Sequence, residues 1–421
     1  MRTTTPTRPA SNPTPTPAPA PPPAPHMTNR ALARALFTVW SGDPAVVVDS
    51  PPGAGKTHLI THLAHQLRTR AGMTVAVAAQ TRAQALDVAN RTAATGAPTA
   101  LCVANPRVRP TGLDQAVIAT KSGAMNSAAH VTIATTARWQ WSKMPRHDVL
   151  LVDEAYQLTF GDLGTLGALA DQVVLVGDPG QIAPVVTGST RRWENWTAGP
   201  QVPAPAALVA AHGEDVSVLH LPQTWRLGPD TTALIAPLYP TLQFTSARPP
   251  RHVTDATGTP LPEYRAVPVA RTTSPSDPVL ALTAASAARD LIGTAHVHDP
   301  DGTHTLTPDR VAVIAPHVDQ AALIAAALAD LPGVFVGTIN QAQGLERDVV
   351  VAVHPLAGHA DAESFGADLG RLCVALSRHR AHLSVVVDDH LPTVLDRASR
   401  DDASGAVAAQ GLVLARLLLA A

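Results

Sequence analysis

The run Ser50-Pro-Pro-Gly53-Ala54-Gly55-Lys56-Thr57 combines open backbone, a cation and a hydroxyl. That combination suits a polyphosphate. Glycine lets the chain wrap an anion closely, and N–H groups at the start of a following helix point at it. Gly53, Ala54, Gly55, Lys56, Thr57 and His58 are the candidate nucleotide-binding residues. Lys56 is expected on the β- and γ-phosphates, and Thr57 on a Mg²⁺ ion. Serine stands at position 50, where glycine usually opens such loops. The bland alternative is a Gly/Pro turn ahead of a helix. Lys56 speaks against it, because the other lysines are Lys121 and Lys143 alone, and every remaining basic residue is arginine.

Leu150-Leu151-Val152-Asp153-Glu154 places two acids at the end of an apolar run. Carboxylates at the carboxyl edge of a parallel sheet face the crevice where ligands bind. Asp153 is the candidate for the Mg²⁺ shell, and Glu154 for polarising an attacking water. Val173 to Val176 leads likewise into the polar turn Gly177-Asp178-Pro179-Gly180-Gln181.

Such residues need a scaffold that brings strand ends together. Short β-branched runs are expected as strands at Ala45–Asp49, Thr74–Ala78, Val131–Ala134, Val149–Val152 and Val173–Val176, with a helix over Lys56–Arg70. A second series covers Tyr264–Val269, Thr294–His298, Arg310–Ala315, Val334–Thr338, Asp348–Val353 and His382–Val387, with a helix over Asp319–Leu331. Alternating strands and helices predict an α/β fold of doubly wound parallel sheets. Thr187–Pro205 and Ala247–Pro262 read as surface loops.

The chain has 421 residues, 45% of them hydrophobic, enough for two domains with buried cores. Aromatics make up 3%, so those cores are built from Ala, Val and Leu. Cys102 and Cys373 are the cysteines, too few for a disulfide framework or a cysteine zinc site, which fits a reducing compartment. A net charge of -2 provides no global basic field. Residues 1–27 form a Pro/Ala/Thr-rich tail, expected to be disordered. No segment reads as membrane-spanning, so no membrane partner and a cytoplasmic location are expected.

An ordered set of segments resembles a known family. Asp153-Glu154-Ala155-Tyr156-Gln157, followed by Gly177-Asp178-Pro179-Gly180-Gln181-Ile182-Ala183-Pro184, resembles motifs II and III of superfamily 1 helicases. Leu221-Pro222-Gln223-Thr224-Trp225-Arg226-Leu227-Gly228-Pro229 resembles a segment of the branch that includes the nonsense-mediated-decay helicase. Thr338 to Asp348, with Gly344 and Glu346, resembles motif V. Arg371 to Arg380, with Ser377 and Arg378, resembles motif VI and is similar to viral superfamily 1 helicases. Ile314 to Gln320 stands where motif IV belongs. Val77 to Arg82 and Ala134 to Thr136 stand where motifs Ia and Ic belong.

The resemblance implies two RecA-like P-loop domains with ATP in the cleft between them. It makes Gln181 a γ-phosphate sensor and Trp225 the ring that stacks on adenine. Arg226 and Arg378 would reach the γ-phosphate from the second domain, and Glu346, beside Gly344, would approach the ribose. The implied catalytic set is Lys56, Asp153, Glu154, Gln181, Arg226 and Arg378. Thr81, Arg82 and Thr135 would touch nucleic acid, and movement would run 5′→3′. The chain departs from the family in having no glutamine motif ahead of the phosphate loop and Ser377 for the usual threonine.

From Leu101 to His147 the basic residues are Arg107, Arg109, Lys121, Arg138, Lys143 and Arg146, against one acid, Asp114. Trp139 and Trp141 lie among them. The stretch reads either as a groove for single strands, with Arg138 and Lys143 as contacts, or as a basic face over a tryptophan-containing core. The expected domains are 28–222 and 223–421, with room for a small accessory element at 95–130. The expected activity is an ATP- and Mg²⁺-dependent helicase or translocase on single-stranded nucleic acid, DNA favoured over RNA, with room for a protein loading partner. Two alternatives stay open: an ATPase switch that controls a partner without unwinding, and a module that binds nucleotide without hydrolysis.

Overall fold

The computed structural model describes residues 30–121, 130–141, 145–272, 274–362, 366–400, 402 and 404–419. The tail over 1–27 and the candidate contact Lys143 lie outside them.

The first half contributes β1 (Ala45–Asp49), β2 (Val75–Ala79), β3 (Thr99–Cys102), β4 (Ile118–Thr120), β5 (Val131–Thr135), β6 (His147–Val152), β7 (Ala170–Gly177) and β8 (Val216–His220). They form one parallel sheet in the order β4-β3-β5-β2-β6-β7-β1-β8. Side chains alternate across a strand, so one sheet feeds two cores. Val46, Val48, Val75 and Val77 pack with helices Arg30–Trp40, Lys56–Thr69 and Arg82–Ala94. Ala45, Val47, Ala76 and Ala78 pack on the opposite face, with helices Phe160–Leu166 and Ala204–His212. In the described part of 95–130, β3 and β4 extend this sheet at its edge.

The second half contributes β9 (Gln223–Thr224), β10 (Thr245–Ser246), β11 (His252–Thr254), β12 (Tyr264–Val269), β13 (His296–Asp299), β14 (Gly302–Thr305), β15 (Val311–Ala315), β16 (Phe335–Thr338), β17 (Arg347–Val353) and β18 (His379–Asp388). A second parallel sheet runs β12-β18-β17-β15-β16. Ala312, Ile314, Val350 and Ala352 pack with helices Leu369–Leu376 and Ala406–Leu419. Val311, Val313, Val349 and Val351 pack oppositely, with helices Pro278–Arg289 and Val318–Ala327. The chain thus folds as two RecA-like α/β domains.

Two expectations fail in the second half. The strand expected at Thr294–His298 does not join the parallel sheet. As β13 it forms a separate antiparallel sheet, β11-β13-β14, whose first strand falls within the expected loop Ala247–Pro262. The reason is local: Val253 pairs with Val297, both fully buried, and each is flanked by polar residues, so pairing buries one face only.

Because every strand of the first sheet is parallel, the segments after β1, β2, β5, β6 and β7 all leave from one edge. The phosphate loop, Thr81, Thr136, Asp153 and Asp178 sit there.

Candidate active site

The phosphate loop bends through two left-handed glycines, Gly53 at φ 71° and Gly55 at φ 87°. A Cβ on Gly53 would overlap the Arg226 Cβ, so this glycine serves close approach as well as conformation. Ser50, the departure from the usual glycine, donates its hydroxyl to the Gly177 carbonyl at 3.1 Å and fastens the loop to β7. Helix Lys56–Thr69 begins directly after Gly55, so its free N–H groups open onto the loop.

Lys56 is buried, with Nζ 3.7 Å from Glu154 Oε1. Thr57 Oγ1 donates to Asp153 Oδ2 at 3.4 Å. Glu154 adopts φ 51°, and its N–H donates to Asp153 Oδ1 at 2.9 Å. A glutamate in the left-handed region is strained, and such strain collects at working sites. Burial, then the Glu154 charge, pushes the Asp153 carboxyl up to about 7, against the pull of Lys56. A hydroxyl and a desolvated carboxylate side by side are hard oxygen donors. They fit a Mg²⁺ ion, whose charge would offset that desolvation.

The second domain faces these groups across a cavity of about 300 Å³. Its walls include Gly53 to His58, Asp153, Glu154 and Gln181 from the first domain, and Arg226, Gly344, Glu346 and Arg378. Arg378 is fully buried and donates Nη2 to Ser377 Oγ at 2.7 Å, while its Nε has no partner among the described residues. Burial, then Arg226, holds its pKa below the usual guanidinium range. Arg226 donates Nη1 to the Ser377 carbonyl at 3.1 Å and forms an ion pair with Glu346. Burial alone would raise the Glu346 carboxyl, but Arg226 and Arg380 hold it at about 2. Arg378, bonded to a neutral hydroxyl, and Arg226, which shares Glu346 with Arg380, favour anionic charge in the cavity.

Trp225 is 58% exposed, so it is no core aromatic. With Gly53, Arg226 and Glu346 it lines an adjoining cavity of about 340 Å³. Its main-chain N–H donates to the Gly53 carbonyl at 2.9 Å, and Thr224 Oγ1 donates to the Pro52 carbonyl at 2.6 Å. These bonds pin the segment beside the phosphate loop, where a planar base has a ring face to stack on.

Arg82, Thr135 and Arg138 meet around a third cavity, of about 680 Å³, with a largely apolar lining that includes Leu86, Leu101 and Val108. Thr81, at the same strand edge, caps helix Arg82–Ala94 through a reciprocal pair with Gln84. Trp139 is buried and donates Nε1 to the Val77 carbonyl at 3.0 Å, so it is core and not a stacking platform. Arg146 pairs with Asp171, and Arg109 with the Asp114 carbonyl. Gln84, Asp87 and Arg91 also line the phosphate cavity. Sequence reading missed them, because Asp87 and Arg91 look like an ordinary helical ion pair.

Two family models, each described as an AAA domain, match residues 30–201 and 287–390. Both sheets carry an AAA-domain match. The first contains the phosphate loop, Asp153 and Glu154; the second contains Glu346 and Arg378. No curated protein matches the sequence. Among solved structures, the chain is similar to the helicase of PRRSV, at 16% identity and TM-score 0.44, covering 86% of this chain and 54% of that one. It is also similar to an arterivirus nonstructural protein 10 (helicase), at 18% and 0.45, covering 85% and 61%. A complex of an arterivirus nonstructural protein 10 (helicase) with DNA gives 20% and 0.45, covering 86% and 64%. This chain therefore spans less than two thirds of each. TM-scores below 0.5 are too low to transfer a role to any residue, so roles are assigned from this chain's own geometry. Among the described residues, no helix is long and apolar enough to cross a membrane.

Proposed function

We propose that the chain is a Mg²⁺-dependent ATP hydrolase of superfamily 1 helicase type, working on single-stranded nucleic acid. The observation that carries this is the cavity in which Lys56, Asp153, Glu154 and Gln181 of the first domain face Arg226 and Arg378 of the second. Lys56 and the loop N–H groups hold the β- and γ-phosphates. Thr57 and Asp153 hold the Mg²⁺, which supplies charge neutralisation at the phosphates. Glu154 takes up the proton of the attacking water, and Gln181 orients that water beside the γ-phosphate. Arg378 and Arg226 stabilise the charge on the transferring phosphoryl oxygens, a task suited to planar guanidinium. Arg226 must first leave Glu346, which keeps Arg380 as a partner and is free to meet the ribose. Trp225 stacks on adenine, with Gly344 lining the phosphate cavity alongside.

The domain boundary we propose lies at 222/223, after β8 and shortly before Leu227, which packs in the core beneath the second parallel sheet. A strand running past Arg82, Thr135 and Arg138 and on across the second domain would tie the domains together and favour the closed cleft. The resemblance of the Gln223–Arg226 segment supports the nonsense-mediated-decay-like branch and 5′→3′ movement; DNA is proposed as the strand ahead of RNA. A loading protein is a further proposed partner.

The test is ATP turnover with single-stranded DNA, single-stranded RNA and neither. Stimulation by a strand is expected, larger for DNA. Turnover indifferent to both would replace this reading with an ATPase switch that controls a protein partner.

A further inference from the structure

Gln181 lines the phosphate cavity, but what holds it lies behind. Its Nε2 donates to Asp178 Oδ2 at 2.8 Å, and its Oε1 has no partner among the described residues. Asp178 Oδ1 accepts from the Gly180 N–H at 3.0 Å and from the Tyr239 hydroxyl at 2.9 Å. The same hydroxyl lies 3.0 Å from Cys373 Sγ. Asp178 and Gln181 belong to the loop after β7, in the first domain. Tyr239 and Cys373 belong to a core cluster of the second, and Cys373 sits on helix Leu369–Leu376, which leads into Arg378. Asp178, Tyr239 and Cys373 are all buried.

The direction of these bonds is set by which groups keep a proton. Burial pushes the Cys373 thiol up to about 12 and the Tyr239 phenol well above its usual range, so both stay protonated. A phenol has one proton to give. Asp178 takes it, and the thiol donates to the phenol oxygen. The carboxylate also claims the Gln181 N–H₂ end. That leaves the Gln181 carbonyl oxygen as the free end, an acceptor for a water proton.

The surrounding packing is tight enough to transmit a shift. A Cβ on Gly180 would overlap the Tyr239 ring. A Cβ on Gly370, in the Cys373 helix, would lie 2.6 Å from the Gln181 carbonyl of the main chain. Ile182, next to Gln181, is itself part of the second-domain core.

We infer that Tyr239 is a positioning residue that ties the sensing amide of Gln181 to the helix bearing Arg378, so that both domains register the γ-phosphate together. The inference rests on the proposed roles of Gln181 and Arg378. It assigns a task to a tyrosine outside every segment that resembles a helicase motif.

Tyr239→Phe keeps the ring against Gly180 and removes only the hydroxyl. The experiment measures kcat and KM for ATP with and without single strands, binding of a fluorescent triphosphate, and Tm. Loss of one donor to a buried carboxylate should lower strand-stimulated kcat about tenfold. KM and triphosphate affinity should stay within about twofold, and the ratio of stimulated to basal turnover should collapse towards one. If Tyr239→Phe does not fold, Cys373→Val breaks the same chain from its other end and is read by the same ratio. A lower Tm with an unchanged ratio overturns the inference, since a purely structural role would do that. An active wild type whose Phe variant matches it in kcat and ratio overturns the inference alone. A wild type that hydrolyses no triphosphate overturns both the inference and the reading beneath it.

Discussion

Among single residues, Glu154 decides whether the cavity hydrolyses ATP or merely holds it. Its carboxylate lines the cavity 3.7 Å from Lys56 Nζ, carried on a strained left-handed backbone. Glu154→Gln keeps the size and hydrogen-bonding reach but loses the base. It should bind triphosphate normally and turn over about a hundredfold more slowly or worse. Equilibrium binding beside single-turnover hydrolysis checks this; unchanged hydrolysis would remove Glu154 from its role. Lys56, Thr57, Asp153 and Glu154 were legible because their chemistry is written in a local run. Tyr239 was not, because its hydroxyl acts across 61 residues of sequence, on Asp178. The Arg226 to Glu346 pair spans 120 residues and was equally invisible, although each partner was singled out.

Among the elements, the phosphate loop is shaped as much by the segment Gln223–Arg226 as by its own glycines. Gly53→Ala should therefore fail twice, through its positive φ and through collision with Arg226. A displacement of this size at a phosphate site is expected to cost about a hundredfold in kcat/KM, with the fold intact by circular dichroism. Near-normal turnover would mean the segment does not seat against the loop. The five strands of the second parallel sheet and five of the eight in the first could be read from apolar, largely β-branched runs, since strands buried on both faces show little alternation; β3, β4 and β8, at the two ends of the first sheet, carry no such run and were missed. β11 and β13 were misjudged for the complementary reason. Each carries one buried valine between polar residues, and only the partner strand reveals which face is inside.

Across the whole molecule, the two parallel sheets bring chemistry to one cleft and leave a basic-rimmed pocket at the edge of the first. Arg82→Glu with Arg138→Glu should weaken strand binding about tenfold or more at low salt and flatten its salt dependence, since fewer counterions are released. Unstimulated turnover should change little, because neither residue lines the nucleotide cavity. Fluorescence anisotropy at two salt concentrations, beside the ATPase rate, separates these effects. The strand groove was the least legible part of the site. The basic stretch from Arg107 to Arg146 scatters: Arg109 and Arg146 are spent on other partners, Trp139 is core, and among the described basic residues of the stretch only Arg138 reaches the pocket lined by Arg82 and Thr135. Whether both domains build one hydrolytic site is tested most sharply by the steady-state kinetics of Arg378→Ala. Its partner is the charge that develops on the phosphoryl oxygens, so kcat should fall about a hundredfold or more while KM moves less than about threefold. A kcat within about threefold of wild type would contradict a shared site, because the second domain would then contribute no transition-state charge.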